Sequence, residues 1–150
     1  MINKTVQAVF DKAIYLINEQ NENTGATVTQ DTQEYKSRTI GILNNLIDVV
    51  YPASDTFPGA TADGKRPALD DIEGFDDELD LDARILRDVL PNGLAAKLLS
   101  EENPELANYF QQLFEQELVS AQKQIPGTFE SIDDGLPYGG IEFGEFGRWA

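Results

Sequence analysis

Apolar residues recur at three- and four-residue steps in several stretches of this chain, and that period is typical of amphipathic α-helices. The stripe within residues 6–17 predicts a first helix over about residues 4–20. A second stripe follows Asp31, which stands three residues before Glu34 in a capping-box arrangement. This second helix is expected to end before Tyr51, because Pro52 disfavours the helical conformation in the residue that precedes it.

The next apolar stretch contains a proline. From Leu81 onward the pattern predicts a short helix with Asp80 or Asp82 as its cap. Pro91 is expected to break this helix, because proline removes a backbone donor and crowds the preceding turn. A new helix then carries the next apolar residues, which are Leu94, Ala95, Leu98 and Leu99.

The clearest helix signal lies between residues 103 and 118. Asn103 is a favoured N-cap residue, and Pro104 follows at the first helical position. One apolar stripe runs along the helix that this pair predicts. Its members are Leu106, Tyr109, Phe110, Leu113, Phe114 and Leu118.

Two segments lack a helical period. Residues 52–79 are punctuated by proline and glycine, and a structureless connection of this length predicts a functional loop or a segment that lies along another molecule. Residues 125–150 combine glycines with aromatic side chains that are too apolar for a freely solvated tail. The sequence therefore predicts a mainly α-helical domain of four to five helices over residues 1–124, with a long central loop, and an extended C-terminal arm over residues 125–150. The interaction residues expected on the arm are Tyr138, Phe143, Phe146 and Trp149.

Composition excludes several classes of chemistry. The chain has 27 acidic and 11 basic residues and a formal charge of −16, which argues against tight binding to nucleic acid or to an anionic membrane. Cysteine and histidine are both absent, so no disulfide, no Cys/His zinc site, no histidine base and no cysteine nucleophile is available. We expect no metal and no cofactor. No signal peptide is expected at the N-terminus, and no apolar run approaches the roughly 20 residues that a membrane-spanning helix needs.

Two local patterns resemble binding motifs without completing them. Residues 59–65 match GxxxxGK, but a phosphate loop needs Ser or Thr next, and Arg66 stands there. The acidic run of residues 70–82 invites a cation, yet an EF-hand register that starts at Glu78 places Ala83 at the glycine position and Val89 at the bidentate acid. An opportunistic calcium site stays open. The alternative is that these acids favour a helix N-terminus or solvate the surface.

Three short runs carry a resemblance to a known family. They are LPNGLAA at Leu90–Ala96, the acidic break EENP at Glu101–Pro104 and the aromatic pair Tyr109–Phe110. In these runs the chain resembles small head–tail connector (adaptor) proteins of long-tailed bacteriophages, over about residues 31–120. The resemblance implies a helical bundle that assembles into a homo-oligomeric ring beneath the portal, with DNA passing through it. It implies a virion location after synthesis in the bacterial host, with portal and neck or tail proteins as partners, and no enzyme.

Two other classes of function remain open. The excess of carboxylates is compatible with an acidic regulator that mimics DNA and binds a basic protein. An enzyme that uses carboxylates or tyrosine is the third possibility, although no pair of acids stands out by its spacing.

Overall fold

The computed structural model describes residues 2–20, 30–59 and 63–125. Within these residues the chain forms four α-helices, a short 3₁₀ turn and a π-helical segment, with no β-strand. The predicted mainly α-helical fold is therefore confirmed for this part of the chain. The elements are α1 (Val6–Gln20), α2 (Gln30–Val50), the 3₁₀ turn (Tyr51–Ala53), the π segment (Ile85–Val89), α3 (Leu90–Leu98) and α4 (Pro104–Lys123).

Helix α3 lies at the centre of the molecule. It packs against α1, α2 and α4, and most of its nine residues are buried. A helix that is apolar over most of its surface has to be surrounded by other elements, and the small residues of LPNGLAA allow those elements to come close. Its fully buried residues are Leu90, Leu94, Ala95 and Leu98.

Gly93 marks the closest approach between the helices. A Cβ atom at this position would lie 2.7 Å from Cδ1 and 2.8 Å from Cε1 of Phe114, and 3.3 Å from Cδ1 of Leu46. Because the Phe114 ring is itself buried, it has little room to retreat. The absence of a side chain at Gly93 therefore lets α2, α3 and α4 meet at one point.

Helix α4 begins as predicted. The Asn103 side-chain oxygen accepts a hydrogen bond of 3.2 Å from the Leu106 amide, and Pro104 occupies the first turn. Phe110 and Phe114 are buried, as the apolar stripe indicates. Tyr109 is 47% exposed, so it lies at the edge of the stripe rather than in the core. The leucines of the stripe are partly buried against the core; these are Leu106, Leu113 and Leu118.

Pro91 does not break the helix, contrary to the expectation from sequence. The backbone stays helical from residue 83 to residue 98, and it widens into a π turn just before the proline. The Leu90 amide bonds to the Ile85 carbonyl, five residues back. This wider turn accommodates the proline ring, and the Asn92 side chain donates to the Asp88 carbonyl at 2.8 Å.

The remaining helix ends follow local signals. The Thr5 hydroxyl accepts a bond of 3.3 Å from the Ala8 amide, so α1 begins at Val6, later than the predicted residue 4. Helix α2 begins at Gln30, which places Asp31 in its first turn rather than at the cap, and it ends at Val50 as predicted. Asp82 caps the helix that follows it, because its Oδ1 accepts from the Ile85 amide at 2.9 Å.

We predict that Gly93→Ala lowers the free energy of unfolding by about 1–2 kcal/mol, because overpacking against Phe114 exceeds the gain in helix propensity. Gly41→Ala is the matched control: Gly41 lies in α2, and a Cβ atom added there would have no neighbour within 4 Å, so this change should stabilise the protein by about 0.5–1 kcal/mol. Urea denaturation of both variants measures the contrast. Equal stabilisation by the two substitutions would show that the α3–α4 contact is loose.

We predict that Asn103→Ala lowers the free energy of unfolding by about 0.5–2 kcal/mol, because the Leu106 amide loses its acceptor. Pro104→Ala should have a smaller effect, since a proline at this position replaces an amide that has no partner within the helix. Thermal and urea unfolding measure both changes. A severe Pro104→Ala effect beside a silent Asn103→Ala would contradict this account of how α4 begins.

Candidate interaction surface

The central loop is attached to the first helix through backbone hydrogen bonds. The Val6 amide donates to the Asp77 carbonyl at 3.0 Å, and the Gln7 amide donates to the Phe75 carbonyl at 3.0 Å. The Leu79 amide donates in turn to the Lys4 carbonyl at 2.9 Å. Amides in the first turn of a helix have no partner within it, so the loop satisfies two of those in α1.

The same loop is attached to α2 by one side chain. The Asn44 amide nitrogen donates to the Ile72 carbonyl at 3.2 Å, and its oxygen accepts from the Ile72 amide at 2.9 Å. Phe75 stands edge-on to Phe10 with ring centroids 5.5 Å apart, and the Lys36 ammonium lies 5.0 Å from the centre of the Phe75 ring. Residues 72–79 therefore lie along the protein's own helices.

Asp82 joins the two ends of the loop. Besides capping the following helix, its Oδ2 accepts from the Asp55 amide at 2.8 Å. The Asp82 amide donates to the Ser54 hydroxyl at 3.0 Å, and the Thr56 hydroxyl donates to the Asp80 carbonyl at 2.7 Å. These bonds hold residues 54–56 against residues 80–82.

Asp77 stabilises a tight turn within this loop. Its Oδ2 accepts from the Glu73 amide at 2.7 Å and from the Gly74 amide at 3.1 Å. The bond from Glu73, and then the bond from Gly74, lowers the pKa of the Asp77 carboxyl below its ordinary value of 3.8. The ionised carboxylate therefore favours the turn whose carbonyls accept from the first amides of α1.

The acidic run forms an exposed edge beside a shallow groove. The groove has a volume of about 320 Å³, and its apolar lining comes from Ile47, Leu69, Ile72 and Leu79. Within the part of the chain that the structure describes, no group of three or more acidic side chains is arranged to hold a metal ion. The described residues therefore offer no arrangement of ligands that supports the calcium site left open by the sequence. The exposed acids of the run are Asp70, Asp71, Glu73, Asp76, Glu78 and Asp80.

The GxxxxGK stretch behaves as an ordinary turn where it is described. Gly59 and Gly64 both have positive φ angles, of 83° and 76°, which glycine adopts readily. The Lys65 amide donates to the Asp63 carboxylate at 3.1 Å, so that amide already has an anionic partner within its own turn. Residues 60–62 lie outside the described part.

Arg84 connects the start of the continuous helical region of residues 83–98 to the end of α4. Its guanidinium forms an ion pair of 2.6 Å with Glu117 and donates to the Gln124 side chain at 3.0 Å. A second, longer ion pair of 3.5 Å reaches Asp88. These contacts fix the point at which the chain leaves α4.

The predicted interaction residues are not among those that the structure describes. Tyr138, Phe143, Phe146 and Trp149 all lie beyond residue 125. The structure does bring together a set that sequence reasoning missed, in which Lys4, Lys12 and Arg87 line adjoining concavities near the N-terminus. No spacing pattern links residues 4, 12 and 87, so only the fold reveals this basic surface.

Comparison of the chain with family models, with curated proteins and with solved structures found no match. None of the helices in the described part of the chain combines the length and the apolar character that crossing a membrane requires.

We predict that acid removes the contribution of Asp77. The pKa of Asp77 is lower in the folded state than its ordinary value of 3.8. The stability that its carboxylate provides is therefore fully present above a pH of about 3.8 and is lost as the pH falls through the folded-state pKa. Wild type should therefore be more stable than Asp77→Asn at neutral pH, and the difference should shrink in acid.

Asp76→Asn is the control for net charge, because this neighbouring exposed carboxylate accepts no hydrogen bond from a described residue. Urea midpoints measured across the pH range compare the three proteins. A wild-type advantage over Asp77→Asn that does not change with pH would contradict the assignment.

Proposed function

We propose that this protein is a ring-forming head–tail connector subunit of a bacteriophage virion, which links the portal vertex to the tail around the DNA channel. The observation that carries the proposal is the role of the residues behind the resemblance. Gly93 of LPNGLAA, the Asn103 cap and Phe110 of the aromatic pair all serve helix packing. A motif whose residues serve helix packing supports a structural subunit better than a catalyst.

The charge of the chain supports the same function. A channel wall that grips DNA would need lysine and arginine to displace counterions from phosphate, whereas this chain carries a charge of −16. An acidic wall repels the duplex and lets it pass. The exposed acids between residues 70 and 80 are the surface on this protein best suited to such a wall.

The C-terminal arm provides the contacts between subunits in this proposal. Residues 125–150 contain Tyr138, Phe143, Phe146 and Trp149, and aromatic side chains are enriched at protein interfaces. The expected partners are neighbouring copies of this chain, the portal protein, and neck or tail proteins. DNA passes through without specific binding.

Truncation after Gln124 tests this proposal. The full chain should form closed rings, seen by native mass spectrometry and by negative-stain electron microscopy. The truncated chain should keep its helicity and melting temperature, since the buried residues of the described core lie between Val6 and Ala121, but it should lose assembly. A truncated monomer that melts far lower would place the arm in the intramolecular core, and a full chain that stays monomeric at every concentration would overturn the ring.

An acidic regulator that mimics DNA is the second candidate. The exposed run of carboxylates between residues 70 and 80 favours it, because such a surface presents negative charge in the way that a phosphate backbone does. This function needs no closed ring. A discrete monomer or dimer that binds a basic protein with steep salt dependence would favour it over the connector.

We predict that the purified protein does not bind duplex DNA at physiological salt, because too few cations are exposed to release counterions. An electrophoretic mobility-shift assay measures this, with a low-salt lane as the control for residual attraction. Micromolar binding of duplex DNA at physiological salt would contradict a channel wall that does not bind DNA. In that case the first suspects are Lys4, Lys12, Lys36, Arg38, Lys65 and Arg66.

A further inference from the structure

Two adjoining concavities lie where the N-terminal segment crosses the π segment. The smaller has a volume of about 210 Å³ and is lined by Ile2, Asn3, Ala8, Lys12, Leu86 and Arg87. The larger, of about 540 Å³, shares Ile2 and Asn3 and adds Lys4 and Glu78. We call the two together the N-terminal groove. Its floor is apolar, because Leu86 is buried and Ile2 is partly buried there.

The N-terminal groove reverses the sign of the charge that dominates the chain. Among the described residues, three bases line it, Lys4, Lys12 and Arg87, against one acid, Glu78. No described carboxylate forms an ion pair with any of the three bases, since the ion pairs in that part of the chain both belong to Arg84. An apolar floor with unpaired cations at its rim fits a ligand that is apolar and acidic at once.

The C-terminal arm has that chemistry. Residues 126–150 contain five carboxylates and one arginine, and Glu142 and Glu145 alternate with the aromatic residues Phe143 and Phe146. The only base of the arm, Arg148, matches the only acid of the groove, Glu78. Charge complementarity of this kind selects partners and sets their register.

The point at which the arm leaves α4 favours binding of the arm to the groove of a second copy over binding to the groove of its own chain. The arm leaves α4 at Gln124, which is held by Arg84 on the same helical region as Arg87. The part of the arm nearest to its own groove is thus its beginning, whereas Phe143 lies 18 residues beyond Ile125. Extended chain of that length spans about 60 Å. A folded body of this size is on the order of 35 Å across, so the aromatic end can reach a neighbour.

We propose that the N-terminal groove binds residues 142–149 of the arm of a second copy of this chain. Phe143, Phe146 and Trp149 supply the apolar contacts, and the carboxylates of Glu142 and Glu145 lie against Lys12 and Arg87. The proposal rests on the proposed ring function and names the surface through which its subunits are joined.

Cysteine cross-linking tests the contact directly, because the chain has no cysteine of its own. Full-length Ala8→Cys, in the groove, is mixed with full-length Ala150→Cys, at the end of the arm, and oxidised. The disulfide-linked heterodimer, identified by mass spectrometry, is the expected product. Ser100→Cys, which is exposed beyond the far end of α3, replaces Ala8→Cys in the control mixture and should give little cross-link.

The alternatives give distinct results in this experiment. Rings that assemble without the Ala8→Cys to Ala150→Cys cross-link would overturn the groove and leave the ring intact. A double variant that cross-links only within one chain, at every dilution, would show that the arm folds back. A full chain that forms no oligomer would overturn the proposed function and this inference together.

Charge reversal provides a second measurement. Lys12→Glu with Arg87→Glu should weaken self-association about tenfold or more, because like charges would then face each other. Arg66→Glu with Lys97→Glu makes the same change in net charge at exposed sites outside the groove and should weaken it much less. Glu142→Lys with Glu145→Lys should restore association of the groove variant. Equal weakening of self-association by the two double variants would overturn the proposal. So would a failure of Glu142→Lys with Glu145→Lys to restore association.

Discussion

The close approach of three helices at Gly93 is the constraint on which the rest of this structure depends. With no side chain at that position, the buried ring of Phe114 and the methyl group of Leu46 both reach the backbone of α3. The central helix then packs against α1, α2 and α4, which bury most of its residues. Because packing at this density leaves little free volume, a change of one methyl group there alters the position of two neighbouring helices.

A central helix that is mostly buried leaves the outer surface of the molecule for function. Much of the exposed charge in the described residues lies on the loop, the π segment and the outer faces of α1, α2 and α4. Residues 72–77 of the loop are attached to the helices, since Asn44 bonds to Ile72 and the first amides of α1 bond to the carbonyls of Phe75 and Asp77. The exposed acids Glu73, Asp76 and Glu78 therefore lie on a segment that is held against α1 and α2.

Local signals in the sequence predict those parts of the fold that local chemistry determines. Pro52 ends α2, Asn103 with Pro104 starts α4, and Asp82 caps the helix after it, all as the residue types indicate. The prediction that Pro91 breaks the helix was wrong, because a π turn accommodates a proline that an ordinary helical turn would exclude. The paired hydrogen bonds between Asn44 and Ile72, and the basic N-terminal groove, join residues that are far apart in the chain. No periodicity or spacing in the sequence predicts such contacts.

A ring built from subunits of charge −16 has to overcome repulsion between like surfaces. At physiological ionic strength, charges more than about 8 Å apart are largely screened, so the net charge matters less than the groups in direct contact. Association then depends on places where the local sign is reversed and where apolar surface is buried at the same time. On the described surface, the groove around Lys12 and Arg87 combines both properties. In the ring proposed above, the many acids elsewhere disfavour association through other faces, which favours one defined contact over general aggregation.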